Sequence, residues 1–430
     1  MKKSQLITLF SVLIIIFAFG LIGYHNKELF RSQKTGVSGQ EARVGSQVSG
    51  VGSQVSGVRC QESEAKTQGA EDKGKGTLHP SVANEVDAAI NRSLDWLAAH
   101  QKNNGSWSNS NFPALTALVL QAFINGSHPD KERIIDKAIQ FVLSCVQKDG
   151  GIYKKVKGRK GGGLSNYNTA ICMTALHAAR RESLVPVIQH ARTFISQSQH
   201  LTGGDVYKGG FGYNQKTKRA YTDLLNTFYS VEAMAKTADV EYERPSEERA
   251  DINWQETGKF IDRMQNKDGG FKYNPSDPKA GIATNKSGVI VIRSYGSITY
   301  AGLLALIYAK VPRNDPRVIS ALDWSAKHWS LKENPGMGGQ GLYFFYNILA
   351  KALTAGERDL IPLPDGSYLN WREELAKKLV QLQKIDPDTG YGYWKNDTNR
   401  FWENDQALVT AYSVFALEMI SENEKEDISK

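Results

Sequence analysis

Gln265-Asn266-Lys267-Asp268-Gly269-Gly270-Phe271 follows the apolar pair Phe260-Ile261, and the chain repeats this arrangement. Working outward, Gln101-Lys102-Asn103-Asn104-Gly105-Ser106-Trp107 follows Trp96-Leu97, and Phe194-Ile195 precedes Gln199 at the same spacing. An apolar helix face ends at Gln, and Asn or Asp before Gly makes a turn that needs positive φ. A Gln amide there can satisfy orphan backbone groups at the helix end, while the aromatic covers the neighbouring hairpin. Looser copies stand at Asp149-Gly150-Gly151-Ile152-Tyr153, Gly209-Gly210-Phe211-Gly212-Tyr213 and Gly390-Tyr391-Gly392-Tyr393-Trp394. Phe141-Val142 keeps the phase but puts Val146 at the Gln position, and Trp324 and Leu379-Val380 are degenerate copies.

Between these turns a second pattern recurs. Threonine is followed six residues later by alanine at Thr116/Ala122, Thr169/Ala175, Thr227/Ala233, Thr299/Ala305 and Thr410/Ala416, and Tyr346/Ala352 keeps the phase. Two alternating helical patterns repeated six times define helix hairpins that complete one another's cores. Small residues on one set of helices permit close approach of the other. The spacing predicts an all-α body over 84–421: twelve helices in six hairpins, the six threonine-type positions at one level of a ring.

The Gln-x-x-Asp/Asn-Gly-Ser/Gly-Trp/Phe signature resembles the QW repeat of squalene and oxidosqualene cyclases. Its Gly-Gly-Phe form is similar to that of protein prenyltransferase β subunits. The resemblance implies a single (α/α)6 toroid over 84–421, with Gln101, Trp107, Gln265 and Phe271 in structural repeat roles. It implies an apolar or isoprenoid-like ligand, and aromatic walls that stabilise carbocations. The families' chemical motifs are missing. Asp386-Pro387-Asp388-Thr389 lacks the last acid of the cyclase Asp-x-Asp-Asp tetrad, and no cysteine follows Cys172 to build a prenyltransferase zinc site. A Cys-Gly-Glu-Gln thioester is absent too, and no His pair has metal spacing, so neither a metal nor a cofactor is expected.

Asp405 and Asp223 precede second-set helices, where a carboxylic acid of raised pKa could act as a general acid. Asn111, Thr222, Ser294 and Asp405 also stand five residues before the repeat threonines, and all four types are preferred N-caps. Glu403 and Gln406 give Asp405 polar neighbours, which suits a cap better than a proton donor. Tyr167, Tyr295, Tyr300, Tyr343, Phe344, Tyr346 and Trp402 concentrate at the same helix ends and are the candidate ligand-cavity residues.

The N-terminal part reads differently. Leu6 to Gly23 is an apolar run without charge after Lys2 and Lys3, which predicts a signal-anchor within 1–34 and a body outside the cytoplasm. Residues 35–83, with a direct repeat at 45–51 and 52–58, have too little apolar surface to fold and read as a linker. Residues 422–430 read as a charged tail. Three cysteines make no disulfide framework. The net charge of +8 over 430 residues gives no nucleic-acid signature without a basic stripe interleaved with aromatics. The basic loop Lys154-Lys155, Lys157, Arg159-Lys160 could meet anionic lipid or acidic polysaccharide. Four functions remain open on the sequence: a ligand- or partner-binding ring, a terpene cyclase-like enzyme with a non-standard acid, a polysaccharide lyase or hydrolase, and an interaction scaffold. Oligomeric state is not legible.

Overall fold

The computed structural model describes residues 76–156, 163–215, 221–284, 287–363 and 365–428. The anchor, the repeat at 45–58 and Cys60 lie outside the described residues. The body belongs to one compact unit, Ala70–Lys430. Among the described residues the first helix starts at Pro80, ahead of the expected residue 84, and Leu78 is already buried.

Among the described residues twelve α-helices alternate between two rings. The outer ones are α1 (Pro80–Ala99), α3 (Lys131–Leu143), α5 (Val185–Ser196), α7 (Trp254–Met264), α9 (Pro316–Lys327) and α11 (Trp371–Leu382). The inner ones are α2 (Pro113–Asn125), α4 (Ser165–Ala178), α6 (Leu224–Lys236), α8 (Gly296–Tyr308), α10 (Leu342–Ala355) and α12 (Gln406–Ile428). The last helix thus continues through residues expected to be a tail. Each inner helix packs on the next, from α2 through α12, and α12 packs back on α2, so the inner ring is closed. Helix α1 also packs on α11 and α12, so first and last units share one core. The loops add three antiparallel ribbons, which helical periodicity did not foretell: β1 (Ile282–Thr284) with β2 (Ile290–Ile292), β3 (Leu360–Pro362) with β4 (Tyr368–Asn370), and β5 (Lys384–Ile385) with β6 (Gly392–Tyr393).

The repeat residues share one task. The Oγ1 atoms of Thr116, Thr169, Thr227, Thr299 and Thr410 accept the backbone N–H of Trp107, Ile152, Phe211, Phe271 and Trp394, at 2.9–3.2 Å. All five N–H groups are buried, and a buried donor without a partner costs about 1–3 kcal/mol. The threonine therefore seats the turn that follows each outer helix onto its inner helix. In the fifth unit Tyr346 departs from the pattern, and its hydroxyl donates to Leu331 O at 2.6 Å.

The Gln amide closes the gap between units. Gln101 Nε2 donates to Gly105 O and to Ile134 O on α3, and Gln265 Nε2 donates to Gly269 O and Arg317 O on α9. Gln199 does the same for Gly209 O and Asn253 O, and Gln383 reaches Ala89 O on α1. Gln383 completes the circle, so the sixth unit is not degenerate at this position. Gly209 shows why the turn needs glycine. Its φ is +90°, and a Cβ there would sit 2.0 Å from Glu256 O on α7. The inner-helix alanines Ala122, Ala175, Ala233, Ala305, Ala352 and Ala416 are all fully buried, and Cys145 and Cys172 are buried free thiols.

Candidate functional site

Outer-to-inner connections are long and gather where the inner helices begin. That long-loop face is where the ring's chemistry collects. Inner-helix N-termini there need acceptors for their free N–H groups. The neighbouring unit supplies most of them. Asn168 Oδ1 accepts Ala114 N on α2 (3.0 Å), Asn214 Oδ1 accepts Ser165 N on α4 (3.1 Å), and Tyr273 O accepts Leu224 N on α6 (2.8 Å). Asn334 Oδ1 accepts Ser297 N on α8 (2.9 Å), and Glu403 accepts Phe344 N (2.7 Å) and Tyr343 N (3.3 Å) on α10. Three of the four expected caps are therefore corrected. Helix α2 is capped from α4 instead of by Asn111, Thr222 donates to Tyr207 O, and Ser294 donates to Asp268. At α2 and α8 a side chain of the next unit takes the capping role, and at α6 Asp223, one residue after Thr222, takes it. Glu403 is fully buried, whereas Asp405 and Gln406 are half-exposed.

Asp405 Oδ1 accepts Leu408 N at 3.1 Å on α12, and Oδ2 accepts the Ser108 hydroxyl from the first unit. Asp223 Oδ1 accepts Asn226 N at 2.8 Å, and its other oxygen accepts Asn226 Nδ2 at 2.8 Å. Its setting differs from that of Asp405, because it is fully buried and faces a cation. Burial pushes its carboxyl pKa up, while Lys279 and the donors from Asn226 and Tyr273 pull it down. Lys279 is half-buried, with Nζ 3.2 Å from the centroid of the Tyr273 ring and 5.5 Å from that of Phe401. Desolvation lowers its ammonium to about 8, against the pull of Asp223 and Asp277. Around them Tyr273 OH meets Tyr213 OH at 3.2 Å, Tyr221 OH donates to Asp277, and the Arg400 guanidinium lies 4.8 Å from the Phe401 ring centre. Units three, four and six thus bring an acid, two cations and several aromatic rings to one mouth.

Below this mouth tyrosines from three inner helices come together. Tyr229 on α6 and Tyr412 on α12 belong to inner helices three places apart around the ring, yet each lies within electrostatic reach of the other and of Tyr167 on α4. Tyr167 packs edge-on against Tyr229 with ring centres 5.4 Å apart. Beside this tyrosine layer a recess is lined by Tyr229, Tyr412, Phe228, Phe415, Glu232 on α6 and Lys351 on α10. Lys351 pairs with Glu232 across the lumen, and Lys236 pairs with Glu232 at 3.2 Å.

The candidate cavity residues separate into groups. Tyr295 is buried at the start of α8, within the electrostatic reach of Asp223. Tyr167 belongs to the tyrosine layer, and Phe344 packs on Tyr412 at 5.7 Å. Tyr300 lies in the wall, its hydroxyl at Ser325 of outer α9, and Tyr346 is in the wall beneath Leu331. Trp402 is at the rim, edge-to-face with Phe112. Lys279, Tyr213, Tyr273, Glu232 and Lys351 were missed by sequence reasoning. For the last two a signal existed: they follow Thr227 and Tyr346 by five positions, the phase that also points Gln121, Thr174 and Phe415 into the recess. Lys279 sits in a long loop without periodicity and gave none.

Among the described residues no group of three His, Cys, Asp or Glu could hold a metal ion, and no helix is long and apolar enough to cross a membrane. No protein-family model and no curated protein matches the chain. Solved structures are similar at low identity. The type II terpene cyclase MstE from Scytonema is 12% identical, with 79% of this chain and 99% of that chain covered and a TM-score of 0.49. An inactive variant of the α-1,6-mannanase GH76A of Salegentibacter sp. HEL1_6, in complex with α-1,6-mannotetrose, is 13% identical, with 80% and 98% covered and a TM-score of 0.48.

Proposed function

We propose that this protein is a membrane-tethered (α/α)6 ring that binds an apolar, isoprenoid-like ligand bearing a polar end at its long-loop mouth. The observation that carries the reading is Lys279, held over the Tyr273 ring and beside Phe401 at the mouth. Aromatic faces favour an apolar chain, and a cation stripped of water favours a polar or anionic head. Among the described residues Lys279 is paired with no carboxylate within ion-pair distance, which leaves its ammonium available. The reading places the ligand above the tyrosine layer rather than through the ring.

Titration with geranylgeraniol and geranylgeranyl phosphate, followed by native mass spectrometry, tests this reading. Both should bind, the phosphate more tightly. Lys279→Met should weaken the phosphate at least tenfold, and Phe401→Ala both ligands, at unchanged melting temperature. Binding of α-linked oligosaccharides in place of either isoprenoid would sink it in favour of the sugar reading. Asp223 supports a second, enzymatic reading, because a proton donor must first hold its proton and burial raises this carboxyl. Asp223→Asn keeps an amide oxygen for the cap, so loss of product without loss of stability would mark catalysis.

The membrane tether is proposed to be the apolar run Leu6–Gly23, with the ring outside the cytoplasm. The full chain should fractionate with membranes and lose that property when residues 1–34 are removed. A full-length chain recovered in the cytoplasm would refute the arrangement.

A further inference from the structure

The recess beside the tyrosine layer holds charged groups that the ligand reading does not use. Lys351 on α10 enters it with its side chain 12% exposed, and its ammonium pairs with Glu232 on α6. That carboxylate is shared. The same oxygen, Oε1, also takes Lys236 at 3.2 Å and the Tyr308 hydroxyl at 3.3 Å. Two ammonium groups therefore meet one carboxylate. Lys236 is 38% exposed and keeps contact with water, whereas Lys351 lies between the Phe228 and Phe415 rings, 5.6 and 5.8 Å from their centres. Burial lowers Lys351 to about 8, and Lys236 adds repulsion, so at pH 7 the ammonium keeps its proton in a setting short of negative charge. An ammonium has three N–H donors, and a charge taken out of water needs partners for them.

Gln121 on α2 lines the same recess. It is 9% exposed, yet its Nε2 reaches only Ala117 O, at 3.5 Å, the outer limit of a hydrogen bond. A buried cation and a barely committed amide donor thus border a cavity of about 20 Å³, room for one water-sized species. We propose that this recess binds one small monovalent anion of halide size, held by the Lys351 ammonium and the Gln121 amide. Its charge balances the second ammonium of the cluster, and the volume suits chloride or bromide better than a tetrahedral oxyanion. A metal cation does not fit the chemistry, because the carboxylate there already serves two ammonium groups and a hydroxyl. Lys279, Tyr273 and Phe401 do not line the recess, so the anion site stands apart from the ligand proposed at the mouth.

The test melts the full chain, in detergent, in sodium chloride and in sodium gluconate at equal ionic strength, so that general screening cancels. Chloride should raise the melting temperature saturably, as a ligand of the folded state does, and gluconate should not. Gln121→Leu removes one donor and should weaken chloride about tenfold. Gln121→Glu supplies a tethered carboxylate in place of the anion. It should melt at or above wild type in gluconate and gain nothing from chloride. Glu232→Gln with Lys351→Met removes the ion pair together and should also lose the chloride response. Bromide soaked into crystals should give an anomalous peak within hydrogen-bonding distance of Lys351 Nζ. Equal melting of wild type in the two salts, a chloride response kept by Gln121→Glu or by the double variant, or bromide bound only elsewhere would overturn the proposal. Gln121→Glu melting well below wild type in gluconate would do so too, since it would show no excess of positive charge in the recess.

Discussion

Glu232→Gln lowers stability by about 3–5 kcal/mol in urea unfolding at pH 7, the cost of leaving a buried charge without its partner. Glu232 is almost fully buried and is held by Lys351, by Lys236 and by the Tyr308 hydroxyl. Burial alone would push its carboxyl up, but the two ammonium groups outweigh burial and hold it at about 2. Lys351 shows the other side of the balance: desolvation lowers it to about 8 against the pull of Glu232. The amide variant strands Lys351 between the Phe228 and Phe415 rings, 5.6 and 5.8 Å from their centres. Glu232→Gln with Lys351→Met removes both charges and should recover most of the loss. The folded carboxyl lies below its unfolded value of about 4.3. Its contribution is therefore complete above that pH and is lost as pH falls toward about 2. A single variant within 1 kcal/mol of wild type, or a double variant no better than the single, would show that solvent in the recess already screens the pair.

Arg192→Met is expected to cost a similar amount, about 3–5 kcal/mol by the same argument. Arg192 is 2% exposed on the outer helix α5, yet its guanidinium holds three segments beyond that helix. Nε donates to Glu241 Oε1 at 2.8 Å, Nη1 to Met234 O and Thr237 Oγ1 at 2.7 Å, and Nη2 to Ala250 O at 2.9 Å. This fork ties the end of α6 and the acidic 237–253 connection to the outer ring. Arg192→Lys should rescue little, since one ammonium on a shorter head cannot span donors set by a planar fork. Thermal melts of both variants decide the point. Arg192→Lys at wild-type stability would mean that the charge alone matters and the fork does not.

Glu232 and Arg192 also show how far the sequence could be read. Glu232 lies five positions after Thr227, in the lumen-facing phase of the inner helices, and the six-fold pattern offers that position for inspection. Arg192 is visible only as a basic residue in an otherwise amphipathic helix, a place where solvated arginines are common. Its burial depends on the 237–253 connection folding back over α5, and no periodicity announces that. Asp223 and Asp405 occupied similar places on the sequence and separate only in space. One is fully buried and faces Lys279 at the aromatic mouth, and the other shares its oxygens between Leu408 N and the Ser108 hydroxyl.

By itself the sequence determined the helices, their alternation, their number and the turns between them. Those features rest on local periodicity and on glycine's access to positive φ, both written within a few residues. It also marked the threonines and glutamines that join turn to helix and unit to unit. Tertiary structure alone decided what the closed ring brings together. Five of the six inner helices receive an N-terminal acceptor from the next unit, the tyrosines of α4, α6 and α12 come together, and Lys279 reaches Phe401 from a loop more than a hundred residues earlier. The reason is geometric. Ring closure fixes distances between side chains on different units, and those distances depend on every packing interface around the circle at once.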